Sequence, residues 1–316
     1  MTKILFLTDF HLRALRPESR LDEDFLGIQL DKLEEAAQIA KGCDITIFGG
    51  DIFDRPDAAP SVVIRTMRVL AKWPHIPFTV VGNHDIFGYN KESVESSVIG
   101  ILLQHGVIHK LDYQINLGNA HIHGLHAYDK NNWVIPRNET GVNIIVAHKM
   151  ITDKVIPNAN CISIAEVNNA TNADVVLSGD IHFPHNVTIG DRLFLNPGSL
   201  SRMSIVDAKR QPQVVILTID EDNRTLYELV SIPAKPGNQA FDVDNYAARL
   251  DADAHAKAFI RDYASQVQSV KADTHKMASV LGAFMRANNV DAPMRAMIEE
   301  YYRSAEITAL KNTKEE

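Results

Sequence analysis

Aspartate and histidine recur in five short clusters along the first two thirds of this chain: Asp9-Phe10-His11, Gly50-Asp51-Ile52-Phe53-Asp54-Arg55, Gly82-Asn83-His84-Asp85, a lone His148, and Gly179-Asp180-Ile181-His182. Carboxylates and imidazoles are the donors that hold hard and borderline divalent cations, and an amide such as Asn83 adds a neutral oxygen. The set can supply two adjacent ions and still leave one histidine free to move protons. Two cations roughly 3.5–4 Å apart clamp a phosphate and the oxygen that attacks it, so the residues point to hydrolysis of a phosphate ester. Each cluster alone is weak, because a single Asp-x-His or Gly-Asp is more often a turn than a ligand. Their joint, ordered occurrence carries the reading.

Such clusters act only if the chain brings them together. Lys3 to Thr8 is an apolar run of buried-strand length that ends at Asp9. Leu26, Leu30, Leu33, Ala37 and Ala40 then recur at helical spacing. Asp44 to Phe48 forms the next strand, and Ser61 is the expected N-cap of a helix burying Val63, Met67 and Leu70. Phe78 to Val81 reads as a third strand and Glu92 to His105 as a third helix. This alternation predicts a mostly parallel sheet with ligands beyond the carboxyl ends of its strands, where Asp9, Asp51 and Asn83 fall. From about Val107 short alternating segments predict a mixed or antiparallel second sheet, again with His148 and Asp180 to His182 just past strands. The fold class is α/β (α+β), a four-layer α-β-β-α sandwich. It spans residues 1–232, with a linker at 233–240 and an Ala-rich helical appendage at 241–316. Met277, Val280, Leu281 and Phe284 share one face there, as do Met294, Met297, Ile298, Tyr301 and Ala305. These faces either pack within the chain or dock a partner.

In this order the motifs resemble the calcineurin-like binuclear metallophosphoesterases over about residues 1–205. The resemblance implies that Asp9, His11, Asp51 and His182 bind one ion. Asp51 would bridge to a second ion, which also takes Asn83, His148 and Asp180. His84 would sit over the site and protonate the leaving oxygen, with Asp85 orienting its ring. The family writes His where this chain has Asp180. A third carboxylate brings the protein ligands to −3 against +4 from two divalent ions, and favours Mn²⁺ or Mg²⁺ over Zn²⁺. The other reading of Asp180 is a local hydrogen bond that leaves the second ion weakly held.

Gly49 to Arg55, and Asn196-Pro197-Gly198-Ser199 followed by Arg202, resemble the motifs of the SbcD-type DNA repair nuclease subunit. That group implies a Mn²⁺-dependent exonuclease and endonuclease acting on DNA in repair or recombination with an SMC-like coiled-coil ATPase. A homodimer is a further partner expectation. Arg55 and Arg202 are the candidate phosphate contacts. Arg13, Arg16 and Arg20 lie in a loop that either meets a DNA backbone or is simply solvated. The rival functions are a small-molecule phosphodiesterase, a phosphoprotein phosphatase, and a scaffold subunit with a degenerate second metal position.

Composition bounds these readings. The 316 residues carry 45% hydrophobic content, enough for a large core, and a net charge of −8, which argues against strong independent affinity for DNA. Cys43 and Cys161 are too few for a disulfide framework and read as idle thiols. No apolar run reaches the roughly 18 residues of a membrane span and no signal or transit segment opens the chain, so a cytoplasmic chain without a membrane partner is expected. His121 and His123 share one face of a strand, where packing or solvent is expected rather than metal, and His126 stands nearer the site rim.

Overall fold

The computed structural model describes residues 1–153 and 161–243, positions 245, 246, 248, 258, 281, 282, 285, 286 and 290, and residues 292–301. Two units divide the chain, Met1–Phe241 and Asp242–Glu316.

In chain order the first half of the larger unit runs β1 (Thr2–Leu7), α1 (Phe25–Ala40), β2 (Ile45–Phe48), α2 (Pro60–Leu70), β3 (Phe78–Thr79), α3 (Val98–Gln104) and β4 (His109–Lys110). It continues with β5 (Ile115–Leu117), β6 (Ala120–Leu125), β7 (Val142–His148), β8 (Ile151–Thr152), β9 (Ile162–Ser163), α4 (Ile164–Ala170), β10 (Val175–Gly179), β11 (His185–Ile189), β12 (Arg192–Asn196), β13 (Gln213–Ile219), β14 (Thr225–Ser231) and α5 (Gly237–Ala240). One six-stranded sheet has the order β14-β13-β1-β2-β3-β4, the other β11-β12-β10-β7-β6-β5. β1 to β4 are mutually parallel, and so are β6, β7, β10 and β12. The antiparallel pairings lie at the β13–β14 end of the first sheet and at both edges of the second.

The layers follow from the period of two along each strand. In β1, Leu5 and Leu7 face a core shared with Leu26 and Leu33 of α1 and Val69 of α2. Ile4 and Phe6 face the opposite way, into a second core with Ile144 and Val146 of β7 and Leu177 of β10. The alternate residues of β7, Ile145 and Ala147, meet Ile164 and Val167 of α4 in a third core. Three apolar layers therefore separate helix, sheet, sheet and helix. Central strands covered on both faces explain the continuous apolar runs in the sequence.

Some local expectations shift. α2 begins at Pro60 with Ala59 in the N-cap position, so Ser61 lies inside the first turn. Proline at the first helical position presets φ and sacrifices no hydrogen bond, and it sets the start in place of the serine. The third helix divides into a 3-10 turn at Lys91–Val94 and α3 from Val98. Gly100 approaches so closely there that a Cβ would meet the Val94 carbonyl at 2.3 Å. The linker is packed rather than free: the Leu21 N–H donates to the Ala240 carbonyl at 3.0 Å, and Phe241 is buried beneath the Arg20 guanidinium. The division between the units accordingly falls after Phe241.

In the smaller unit Leu281, Met285 and Ile298 are buried together, with Val290, Met294, Met297 and Tyr301 against them. Met277, Val280, Phe284 and Ala305 lie outside the described residues. Among the described residues no helix is long and apolar enough to cross a membrane.

Candidate metal centre

The loops that leave β1 and β2 run side by side. The Asp9 N–H donates to the Gly50 carbonyl at 3.1 Å, His11 to Asp51 at 3.0 Å and Leu12 to Ile52 at 2.9 Å. To turn their side chains toward one point, Asp9, His11, Asp51 and Asp180 adopt left-handed backbone with φ of 56°, 45°, 52° and 74°. Non-glycine residues adopt this conformation at a cost on the order of 1 kcal/mol each, and such strain gathers at functional sites. Glycine makes the close approach possible: a Cβ on Gly82 would lie 2.0 Å from Asp51 Oδ1.

Two donor groups result. His11 Nε2 faces His182 Nε2 at 2.9 Å, with Asp9 Oδ1 at 3.8 Å and 3.9 Å from the two nitrogens. His148 Nε2 lies 3.0 Å from Asn83 Oδ1, 3.3 Å from Asp51 Oδ2 and 4.0 Å from Asp180 Oδ1. Asp51 Oδ2 is also 3.7 Å from His11 Nε2, so this carboxylate lies between the groups. Asp9, His11, Asp51 and His148 are buried, whereas Asp180 and His182 are partly open.

The donor set fits two divalent cations. His148 Nδ1 lies 2.6 Å from the Gly49 carbonyl, which can only accept, so Nδ1 keeps its proton and Nε2 is the nitrogen turned to the cluster. Burial disfavours a second proton there, but Asp51 outweighs it and raises the His148 pKa, and a divalent cation would take that proton's place. Burial drives the His11 pKa down to about 3, giving a neutral imidazole whose Nε2 can ligate. Burial pushes the Asp9 carboxyl up to about 6, opposed by His148 and His182. Burial acts in the same direction on Asp51, but the imidazoles of His148, His11 and His84 together outweigh it and hold this carboxyl below its usual range. Buried carboxylates this close together are stable as anions only with a compensating positive charge, which imidazoles supply in part and divalent cations supply in full.

His84 stands apart from both groups. It is exposed, its ring packs edge-on to His11 with centroids 4.8 Å apart, and its Nδ1 donates to the Asp54 carbonyl at 2.9 Å. Nε2 is thereby left as the nitrogen that exchanges a proton. Burial lowers the affinity of His84 for that proton, but the Asp51 charge and the Asp54 carbonyl overcome it and raise the pKa above the ordinary value.

Residues 2–222 match the family model described as the calcineurin-like phosphoesterase superfamily domain. The chain belongs to this superfamily. Among solved structures, a dimetal phosphatase from Danio rerio aligns over 73% of this chain and 96% of its own, with a TM-score of 0.51 and 12% identity. A Thermus thermophilus protein aligns over 72% of this chain and 98% of its own, with a TM-score of 0.46 and 13% identity. The first likeness speaks to the fold, an α/β sandwich of two sheets flanked by helices. No curated protein matches the chain. The chain is thus a metallophosphoesterase-type phosphoester hydrolase whose Asp and His clusters can hold metal.

Within this phosphoesterase the structure reassigns several residues. Asp85 does not orient the His84 ring. Its buried carboxylate accepts from the Phe53 N–H at 3.1 Å and the Gly82 N–H at 3.0 Å, fixing the two loops that carry Asp51 and Asn83. Burial and the nearby Asp51 push its pKa up to about 7. Arg202 is buried, with its Nη atoms donating to the Ala208 and Lys235 carbonyls, so it offers no surface to a phosphate. The guanidinium instead ties the loop after β12 to the segment entering α5. Arg20 is likewise buried, paired with Asp22 and stacked on Phe25 and Phe241. Arg55 is exposed and pairs with Asp57 on its own loop. His121 is buried between Asn116 and the Thr140 carbonyl, and His126 accepts from the Val81 N–H.

Other participants had no assigned role. Gln29 on α1 reaches the carbonyls of Phe10 and His11, and Ser199 and Ser201 donate to those of Asp9 and Phe10. The signal for Gln29 was a polar residue on the apolar stripe of a helix, one position from Leu30.

Proposed function

We propose that this chain is the nuclease subunit of a DNA repair or recombination complex, hydrolysing DNA phosphodiesters with Mn²⁺ or Mg²⁺ beside a coiled-coil ATPase. The observation that supports it best is His84. A sugar oxygen is a poor leaving group and needs a proton as the phosphorus–oxygen bond breaks. An exposed imidazole with Nδ1 committed to Asp54 and Nε2 open at the rim of the cluster meets that need. Two divalent ions held by Asp9, His11, Asp51 and His182, and by Asp51, Asn83, His148 and Asp180, would supply Lewis acidity toward the phosphoryl group. The protein's own part is to fix those donors, present His84 Nε2 and return its proton from solvent.

The resemblance of Gly49 to Arg55 to the SbcD-type motif supports the DNA assignment, and the net charge of −8 supports a partner that brings further DNA contacts. The test is a substrate panel with Mn²⁺-loaded protein: bis-p-nitrophenyl phosphate, single- and double-stranded DNA, a cyclic nucleotide and a phosphopeptide, each with and without the ATPase. Cleavage of DNA is expected. Turnover of the simple diester with no cleavage of any DNA, partner present or absent, would return the assignment to a small-molecule phosphodiesterase.

A further inference from the structure

Among the described residues, Arg202 is buried and Arg55 pairs with Asp57 on its own loop, whereas Arg13 pairs with Asp54, the residue whose carbonyl holds His84. The position of Arg13 is fixed from both sides. The Arg13 N–H donates to Gln29 Oε1 at 3.2 Å, and the neighbouring Leu12 carbonyl accepts from the Asp54 N–H at 3.2 Å. Arg13 Nη1 then lies 3.1 Å from Asp54 Oδ2, while Asp54 Oδ1 lies 3.9 Å from His11 Nδ1 and the Asp54 carbonyl holds His84. A single residue, Asp54, therefore separates the guanidinium from both the proton donor and a metal ligand. The Arg13 side chain is 32% exposed, and a contact through Nη1 engages one arm of a fork that carries five N–H donors. A phosphate can be received on the outer arm with the Asp54 pair intact.

The side of the site on which this happens matters. If His84 protonates the leaving oxygen, whatever lies beyond His84 along the substrate belongs to the leaving group. We propose that Arg13 binds a second phosphate carried by the leaving group, so that the preferred substrates are phosphodiesters inside a polynucleotide strand rather than isolated diesters. The inference rests on reading the site as a phosphodiesterase with His84 as its acid.

Three thymidine dinucleotides that differ only in a terminal phosphate, TpT, pTpT and TpTp, test it with the Mn²⁺-loaded full chain. One terminal phosphate is expected to raise kcat/KM about tenfold over TpT, chiefly through KM. In Arg13→Met that advantage should fall below twofold, and Arg13→Lys should keep part of it, with thermal melting confirming that both variants fold. The proposal is overturned if wild type turns over TpT with no gain from either phosphate, or if the gain survives in Arg13→Met. It is also overturned if Arg13→Met slows all three substrates equally, which would make Arg13 a positioning residue acting through Asp54. Failure of wild type to hydrolyse any diester, bis-p-nitrophenyl phosphate included, would instead remove the phosphodiesterase reading beneath it.

Discussion

Replacing Gln29 by Met should weaken the first metal position from 18 residues along the chain. Gln29 is buried on α1, its Nε2 lying 3.0 Å from the Phe10 carbonyl, 2.8 Å from the His11 carbonyl and 2.9 Å from Ser201 Oγ. Its Oε1 accepts from the Arg13 N–H at 3.2 Å. Met fills the same length without these groups. The Phe10 carbonyl keeps its bond from Ser201, but the His11 carbonyl and the Arg13 N–H lose their Gln29 partner, at about 1–3 kcal/mol each. After relaxation a loss of about 2–4 kcal/mol of stability is expected. The same loop holds Asp9 and His11 in left-handed backbone at φ of 56° and 45°, so it is the part most ready to relax once released. If about 1.4 kcal/mol of that loss must be recovered when the loop re-forms around an ion, Mn²⁺ affinity falls about tenfold. Calorimetric titration with Mn²⁺, run beside urea unfolding of the chelated protein, measures both quantities. Gln29→Glu keeps the acceptor for Arg13 but sets a buried carboxylate oxygen against the Phe10 and His11 carbonyls, and should cost at least as much stability as Met. If Gln29→Met loses the expected stability yet binds Mn²⁺ as tightly as wild type, Gln29 anchors the helix only and strain in the Asp9–His11 loop does not set metal affinity.

His84→Asn should leave metal content unchanged, by elemental analysis, and lower kcat on TpT by roughly 10²–10⁴-fold. Bis-p-nitrophenyl phosphate, whose leaving group needs no proton, should lose far less. Asp180→His removes one negative charge at a position whose φ of 74° histidine tolerates, and should raise the Zn²⁺ share bound from an equimolar Zn²⁺/Mn²⁺ mixture. Lys32 is buried with Nζ donating to the Leu200 carbonyl at 2.9 Å, and burial plus Arg20, Arg202 and Arg210 lower its pKa to about 7. The unfolded chain then binds the extra proton from about pH 7 up to the ordinary value of 10.5, so the Lys32 contribution to stability rises with pH across that window and is at its most unfavourable below it. The stability of wild type relative to Lys32→Met should therefore improve by about 2 kcal/mol between pH 6.5 and 9 in urea unfolding, and a difference that stays flat would show that Lys32 is charged in the fold.

How much of this was legible depended on whether the signal was local. That Asp9, His11, Asp51, Asn83, His148, Asp180 and His182 come together in space was legible because each follows a strand of recognisable pattern and the fold collects strand ends at one edge. Asp85 could not, because its role depends on two backbone N–H groups at Phe53 and Gly82 that only the packed loops bring together. Arg202 misled for a related reason. Following Asn196-Pro197-Gly198-Ser199, it reads as a rim cation, but its partners are the carbonyls of Ala208 and Lys235, and the latter lies 33 residues away. Charged side chains in the sequence of a phosphate enzyme invite a ligand role. A guanidinium serves equally well as a multiple donor to buried carbonyls, and the sequence does not distinguish the two.

The two donor groups differ in what holds them, and this bears on Asp180 more than its charge does. Asp9 is braced by the Thr8 hydroxyl on its carboxylate at 2.7 Å and by Ser199 on its carbonyl at 2.8 Å. His148 is braced by the Gly49 carbonyl and Asp51 by the His84 N–H at 2.9 Å. Asp180 is tied through its backbone, whose N–H donates to both oxygens of Asp9 at 3.2 Å, while its side chain remains 20% exposed. The same hydrogen bond that orients Asp9 for the first ion therefore places the Asp180 carboxylate beside His148. A carboxylate set by its backbone and open at its tip can rotate to accept an ion or a water, as a ring wedged between neighbours cannot. If Asp180 ligates, it would offer an oxygen donor of adjustable reach in place of the directional nitrogen of the family's histidine, and that would favour an oxygen-preferring ion such as Mn²⁺ over Zn²⁺.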